Sequence, residues 1–183
     1  MHKYVHLKYF FRKYAITETK ILPVGCLYMK NPQIHFSDRR AEIDLYQLQN
    51  LFNIAAFWAK GRSIEDLNKA ITNSEQVISV WDGEQLIGFA RANSDGIYRA
   101  TIWDVVIHPE YQGNGLGSKL VETVLSHPRM QKVERVYLMT THQQEFYEKI
   151  GFQANNTTTM VLYNQSNFDF VPGEIQLQES LEA

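Results

Sequence analysis

Apolar positions along this chain recur with two different periods, and the switches between them mark its elements. From Ile43 to Trp58, Leu45, Leu48, Leu51, Phe52, Ala55 and Ala56 fall three and four residues apart, which predicts a helix. Ser63, with Asp66 three positions on, reads as the N-cap of a second helix. A short strand, Ile34 to Phe36, precedes both. Gln76–Trp81 and Gln85–Ala92 are β-branched and apolar, and Asp82-Gly83 between them predicts a hairpin. A turn over Asn93–Gly96 leads into a third strand, Tyr98 to His108, which stops because Pro109 restricts the residue before it. From Ser118, a helical face forms on Leu120, Val121, Val124 and Leu125. Val133–Met139 then reads as a strand, His142–Ile150 as a helix with Gly151 placed to cap it, and Phe152–Tyr163 as a closing pair of strands. The expected order is β-α-α-β-β-β-α-β-α-β-β, without internal repeats.

Composition changes this picture little. The 183 residues are 44% hydrophobic and 21% charged, enough for one sizeable core. A net charge of -2 supplies no field for nucleic acid, and no segment is long and apolar enough to span a bilayer. Residues 1–31, aromatic and basic, read as an arm or accessory element, 32–163 as the folded domain, and 164–183 as an acidic, Gln-rich tail. The single cysteine, Cys26, cannot form an internal disulfide, which suits a reducing compartment: cytoplasm, or plastid stroma if the source bears plastids. No His or Cys spacing suggests a metal site. Monomer and homodimer both remain open.

The informative segment is Trp103 to Leu120, WDVVIHPEYQGNGLGSKL. A strand there feeds a loop with glycines at 113, 115 and 117, which opens directly into a helix. Such a junction points several unpaired N–H groups, with the positive end of the helix dipole behind them, at one spot suited to a phosphate. The spacing is not that of a P-loop, G-x-x-x-x-G-K-[ST], nor of the dinucleotide fingerprint G-x-G-x-x-G.

What Gln112 to Gly117 matches is Q-x-x-G-x-G, and a second signature, Phe146-Tyr147-x-x-x-Gly151-Phe152, follows at a fitting distance. With both motifs and this order of elements the chain resembles the GNAT-superfamily N-acetyltransferases. Its segments IDLYQLQNL, LIGFARANSD, the glycine-loop stretch and EFYEKIGF are similar to the cyanobacterial and plastid group that includes plant serotonin N-acetyltransferases. The resemblance implies an α/β (α+β) fold with a mixed, mostly antiparallel sheet splayed at its central strands and flanked by helices. It implies acetyl-CoA as co-substrate, its pyrophosphate on Gln112, Gly113, Asn114, Gly115, Leu116, Gly117 and Ser118. Its pantetheine arm is implied to run along the backbone of Val105, Val106 and Ile107, with Thr140 at a further cofactor-contacting position. Tyr147 is implied to sit near the sulfur and to protonate the departing thiolate, which a phenol can do as the C–S bond breaks.

The amine must also lose a proton. A primary amine of pKa near 10.4 is neutral at pH 7 about once in 2,500, a cost of about 4.6 kcal/mol. Asp104 is the first candidate for the base, and His108, at the strand's end, is the second. Side chains alternate along a strand, so which face Asp104 takes depends on whether a bulge intervenes. The family implies direct transfer in a ternary complex to a small-molecule amine, such as serotonin, or to a protein lysine or N-terminus; a non-catalytic acetyl-CoA-binding module is the remaining alternative. The chain departs from the plastid group where the acceptor would bind: after Trp58, at Thr140, and in the closing strand Thr159–Tyr163.

Overall fold

The computed structural model describes residues 33–155. The N-terminal arm, Cys26, the closing strand pair from 156 onward and the tail lie outside the described residues. Five strands form one sheet in the order β1-β2-β3-β4-β5: β1 Ile34–Ser37, β2 Gln76–Asp82, β3 Gln85–Ser94, β4 Arg99–Ile107 and β5 Arg135–Tyr137. The first four run antiparallel and β5 is parallel to β4, so the sheet is mixed and mostly antiparallel, as expected. Helices α1 (Leu45–Ala55) and α2 (Ile64–Thr72) cover one face; α3 (Leu116–Ser126) and α4 (Gln144–Glu148) pack on the other.

Local chemistry fixes the helix ends. Asp44 starts α1 by accepting the N–H groups of Tyr46 and Gln47, at 2.8 and 3.1 Å. The helix stops at Ala55, short of the expected Trp58, because Ala56 turns to an extended backbone and Phe57–Ala59 make a separate 3-10 turn. Ser63 caps α2 as its sequence predicts, taking the Asp66 N–H at 3.0 Å. The last helix is shorter than His142–Ile150 suggested, but Gly151 closes it at φ 104°, a left-handed backbone that glycine adopts freely.

Two apolar layers sandwich the sheet. Leu48, Leu51 and Phe52 from α1 meet Phe89 of β3, with the two phenyl rings edge-to-face at 5.9 Å. On the other face Leu120, Val121 and Val124 of α3 bury against Ile78, Val80 and Ile87. Each such fully buried side chain contributes about 1.5–3 kcal/mol of transfer free energy. Among the described glycines the closest approach is at Gly88, where an added Cβ would lie 2.6 Å from Ile107 Cδ1 and 3.0 Å from Val80 Cγ2.

The feature that prepares a site is an irregularity in β4. Phe89 pairs with Val106 and Arg91 with Trp103, so the single residue Ala90 opposes both Asp104 and Val105: a β-bulge. The β4–β5 ladder pairs only Arg99, Ala100 and Thr101 with Arg135, Val136 and Tyr137. Strand β5 ends at Tyr137 rather than at the expected Met139, so among the described residues β4 from Ile102 to Ile107 runs on without a strand on that side.

Gly88→Ala is expected to lower stability by about 1–3 kcal/mol through overpacking against Ile107 and Val80. Equilibrium urea unfolding measures this, and an unchanged midpoint would contradict the close approach.

Candidate active site

The end of β4 is anchored twice. The His108 N–H donates to the Ile87 carbonyl of β3 at 2.7 Å, and the Gln112 side chain donates from Nε2 to the Ile107 carbonyl at 2.8 Å. Between them Pro109–Tyr111 form a 3-10 turn, with the Glu110 N–H on His108 Nδ1 at 3.3 Å. Tyr111 holds this turn to β2 by donating to Asp82 at 2.9 Å; that hydrogen bond, with burial, raises its phenol above the usual range.

Three glycines follow for two reasons. Gly113 and Gly115 have φ of 79° and 77° with open space where a Cβ would stand, so their requirement is conformational. At Gly117 a Cβ would meet the Phe146 ring at 3.3 Å, so its requirement is packing. Gly115 is itself the N-cap of α3, which therefore begins at Leu116, two residues before the periodicity of its apolar face suggested. Among the described residues no acceptor meets the N–H groups of Gly113, Asn114, Gly115, Leu116, Gly117 and Ser118; the first helical bond is Lys119 N–H to the Gly115 carbonyl at 3.0 Å. Unpaired amides at the positive end of an eleven-residue helix form an anion cradle. The Gln112 side chain braces the strand end instead of pointing an amide at that cradle, and the Asn114 side chain folds back to the Gln112 carbonyl at 3.3 Å.

Beside the cradle runs the unpaired half of β4. Because His108 donates to β3, ladder alternation turns the backbone groups of Val106 to β3 as well and those of Val105 and Ile107 to the open side. Of the three expected strand contacts, Val105 and Ile107 therefore face the gap with their backbone, while Val106 is buried in the core on the α1 face. The Ile107 carbonyl is already taken by Gln112, leaving its N–H and both groups of Val105.

Helix α4 brings Tyr147 to the same side of the sheet, in the apolar cluster that includes Val105 and Ile107. Its ring is held edge-on between Phe146 at 4.9 Å and Phe152 at 5.8 Å. Burial pushes its phenol above the ordinary range, so it stays protonated, and its hydroxyl has no hydrogen-bond partner among the described residues. Thr140 accepts the Gln143 N–H on its hydroxyl at 3.1 Å, which leads the chain into α4.

On the opposite face the bulge turns Asp104 towards α1 and α2. Its φ is 55°, a left-handed backbone that costs a non-glycine residue on the order of 1–3 kcal/mol unless its surroundings hold it. The carboxylate, 6% exposed, takes Arg62 Nη1 on one oxygen at 3.0 Å and Arg91 Nε on the other at 2.6 Å. Each oxygen thus already accepts one charge-assisted hydrogen bond from a guanidinium. Arg91 also lies over the Trp103 ring at 5.9 Å, and Arg62 over Phe52 at 5.4 Å. The two arginines carry no local sequence signal, since they become neighbours only through the bulge. His108 keeps a ring nitrogen, Nε2, without a partner among the described residues. A cavity of about 470 Å³ lies elsewhere, against β1 and the start of α1; it is lined by Asp38, Glu42, Asp44 and Glu84 and has no share in the glycine loop.

The model of the GNAT acetyltransferase family matches residues 42–152. The chain belongs to this family. It is 34% identical over 137 residues to the uncharacterized N-acetyltransferase ycf52 of Pyropia yezoensis, spanning 72% of this chain and 77% of that one. It is 32% identical to serotonin N-acetyltransferase 2, chloroplastic, of Oryza sativa subsp. japonica over 64% of this chain and 61% of that protein. Among solved structures, a GNAT-family protein from Xanthomonas campestris pv. campestris superposes with a TM-score of 0.64 at 25% identity, over 72% of this chain and 94% of that one. The protein is thus an acetyl-CoA-dependent N-acetyltransferase. No helix among the described residues is long and apolar enough to cross a membrane, and no group of His, Cys, Asp and Glu among them could hold a metal ion.

Gly115→Ala is expected to destabilise the protein by about 1–2 kcal/mol, the cost of a left-handed Cβ. Gly115→Asn should cost less, since asparagine tolerates that conformation. Thermal unfolding separates the two, and equal losses would show that backbone conformation is not what position 115 requires.

Proposed function

We propose that acetyl-CoA binds in the gap beside β4, with its pyrophosphate on the amides of Gly113–Ser118 and its pantetheine arm against the backbone of Val105 and Ile107. The observation that carries this reading is the run of N–H groups at the start of α3 that meet no acceptor among the described residues, next to a stretch of strand that none of those residues pairs. The thioester supplies the acetyl group. Backbone N–H donors on the open side of β4 stabilise the oxyanion that forms as the amine attacks, without reorganising. Tyr147, buried and protonated, donates its hydroxyl proton to the sulfur as the C–S bond breaks. His108 is the better placed of the two base candidates, since both Asp104 oxygens are engaged while Nε2 is not; taking a proton there sacrifices only the long contact to Glu110.

The acceptor is an arylalkylamine. Trp103 stands 36% exposed beside Asp104, and Arg62 ties to Asp104 the α1–α2 connector, which carries the exposed Phe57 and Trp58. Aromatic surfaces of this kind suit an aryl group. The name of the rice relative favours the same class.

Tyr147→Phe is expected to lower kcat by about one to three orders of magnitude with acetyl-CoA affinity nearly unchanged, since the lost group acts only in the transition state. Unaltered turnover would remove Tyr147 from the role. Because burial raises this phenol, deprotonation that silences the donor begins only above the ordinary tyrosine pKa of about 10, so any alkaline fall in kcat due to Tyr147 lies above that pH and is absent from the Phe variant. Thiol release from acetyl-CoA with tryptamine, spermidine and a lysine peptide tests the acceptor. Tryptamine should be preferred; preference for the peptide would make this a protein acetyltransferase, and no release despite a cofactor-raised melting temperature would make it a binding module.

A further inference from the structure

Asp104 is the only non-glycine residue with positive φ among those described, and it sits where β4 leaves the regular ladder. Two separate segments converge on it: Arg62 from the connector between α1 and α2, and Arg91 from β3. Both cations are packed on aromatic rings, Phe52 and Trp103, which limits the positions their guanidinium groups can take. Arg91 is further restrained by Asn93 at 3.3 Å. A left-handed aspartate persists when its surroundings over-determine it, and here charge, hydrogen bonds and stacking all do so.

The bulge has a consequence one residue on. With Asp104 inserted, Trp103 and Asp104 both face α1 and α2, and the ladder phase resumes at Val106. Were the same residues paired without the bulge, the phase after Trp103 would slip by one, turning the Val105 backbone to β3 and away from the gap.

We propose that Asp104 is a positioning residue: Arg62 and Arg91 grip its carboxylate, the grip holds the bulge, and the bulge aims the backbone of Val105 and Ile107 at acetyl-CoA. The two arginines thus set cofactor affinity from the face of the sheet opposite Tyr147. This assignment rests on reading the gap as the acetyl-CoA site. Asp104 is then no proton acceptor, and its loss acts on cofactor binding as well as on rate.

Isothermal titration with acetyl-CoA tests it on the wild-type chain, Arg91→Met, Arg91→Lys, Asp104→Asn and the double variant Asp104→Asn/Arg91→Met. Arg91→Met and Asp104→Asn should each raise Kd about tenfold, and the double variant should stay near the Asp104→Asn value rather than reach a hundredfold, because Asp104→Asn already removes the Arg91 ion pair. Arg91→Lys, which keeps the charge but loses the stacked guanidinium, should fall between wild type and Arg91→Met. A hundredfold effect in the double variant, a lowered melting temperature with unchanged Kd, or a lysine variant as weak as methionine would each overturn the positioning role. Wild-type protein that fails to bind acetyl-CoA would overturn the assignment of the gap and this role with it, a different result from any of those. A pH profile with tryptamine, or with the lysine peptide if that is the amine acetylated, separates positioning from base chemistry. Asp104→Asn should lower the whole profile by one factor; a deficit that vanishes as rising pH frees the amine would make Asp104 the base after all.

Discussion

Beyond the Thr101–Tyr137 pair, β4 continues to Ile107 with no strand among the described residues on its β5 side, and everything chemically useful here depends on that interrupted pairing. A full ladder would consume the backbone groups of Val105 and Ile107. An open edge leaves them ready to bond an extended ligand as an added strand would, the recognition mode of β-augmentation. The glycine loop continues the same edge, so strand amides and helix amides line one continuous path. Gln112 keeps the two in register by holding the Ile107 carbonyl at the point where strand becomes loop.

The sheet divides the labour between its faces. On the α3 side lie the anion cradle and Tyr147, kept protonated by burial among Phe146 and Phe152. On the α1 side lie Trp103, the connector bearing Phe57 and Trp58, and the carboxylate of Asp104. The bulge is the one place where both faces are set together, since the residue that it inserts fixes both the direction of the Asp104 side chain and the phase of the backbone after it.

Features that depend on neighbours in sequence were legible without coordinates. Gly113 and Gly115 announce left-handed turns, Ser63 announces a cap, and Phe146-Tyr147 with Gly151-Phe152 marks α4 and its C-terminal turn. Features that depend on pairing across the fold were not. Alternation along β4 left the face of Asp104 open because a bulge is a property of two strands, and Arg62 and Arg91 stand 42 and 13 residues from the carboxylate they hold. Asp104 was readable as a buried acid in a central strand; that both of its oxygens are engaged was not. Likewise Val106 is indistinguishable by type from Val105, and only the ladder assigns its backbone to β3.

Backbone hydrogen exchange with and without coenzyme A tests the central claim directly, because the claim concerns particular amides. Added coenzyme A should slow exchange at Val105 and Ile107 and across Gly113–Ser118, while leaving the cavity around His35 and Trp81 unaffected. Protection confined to that cavity, or none at the glycine loop under saturating ligand, would contradict the account.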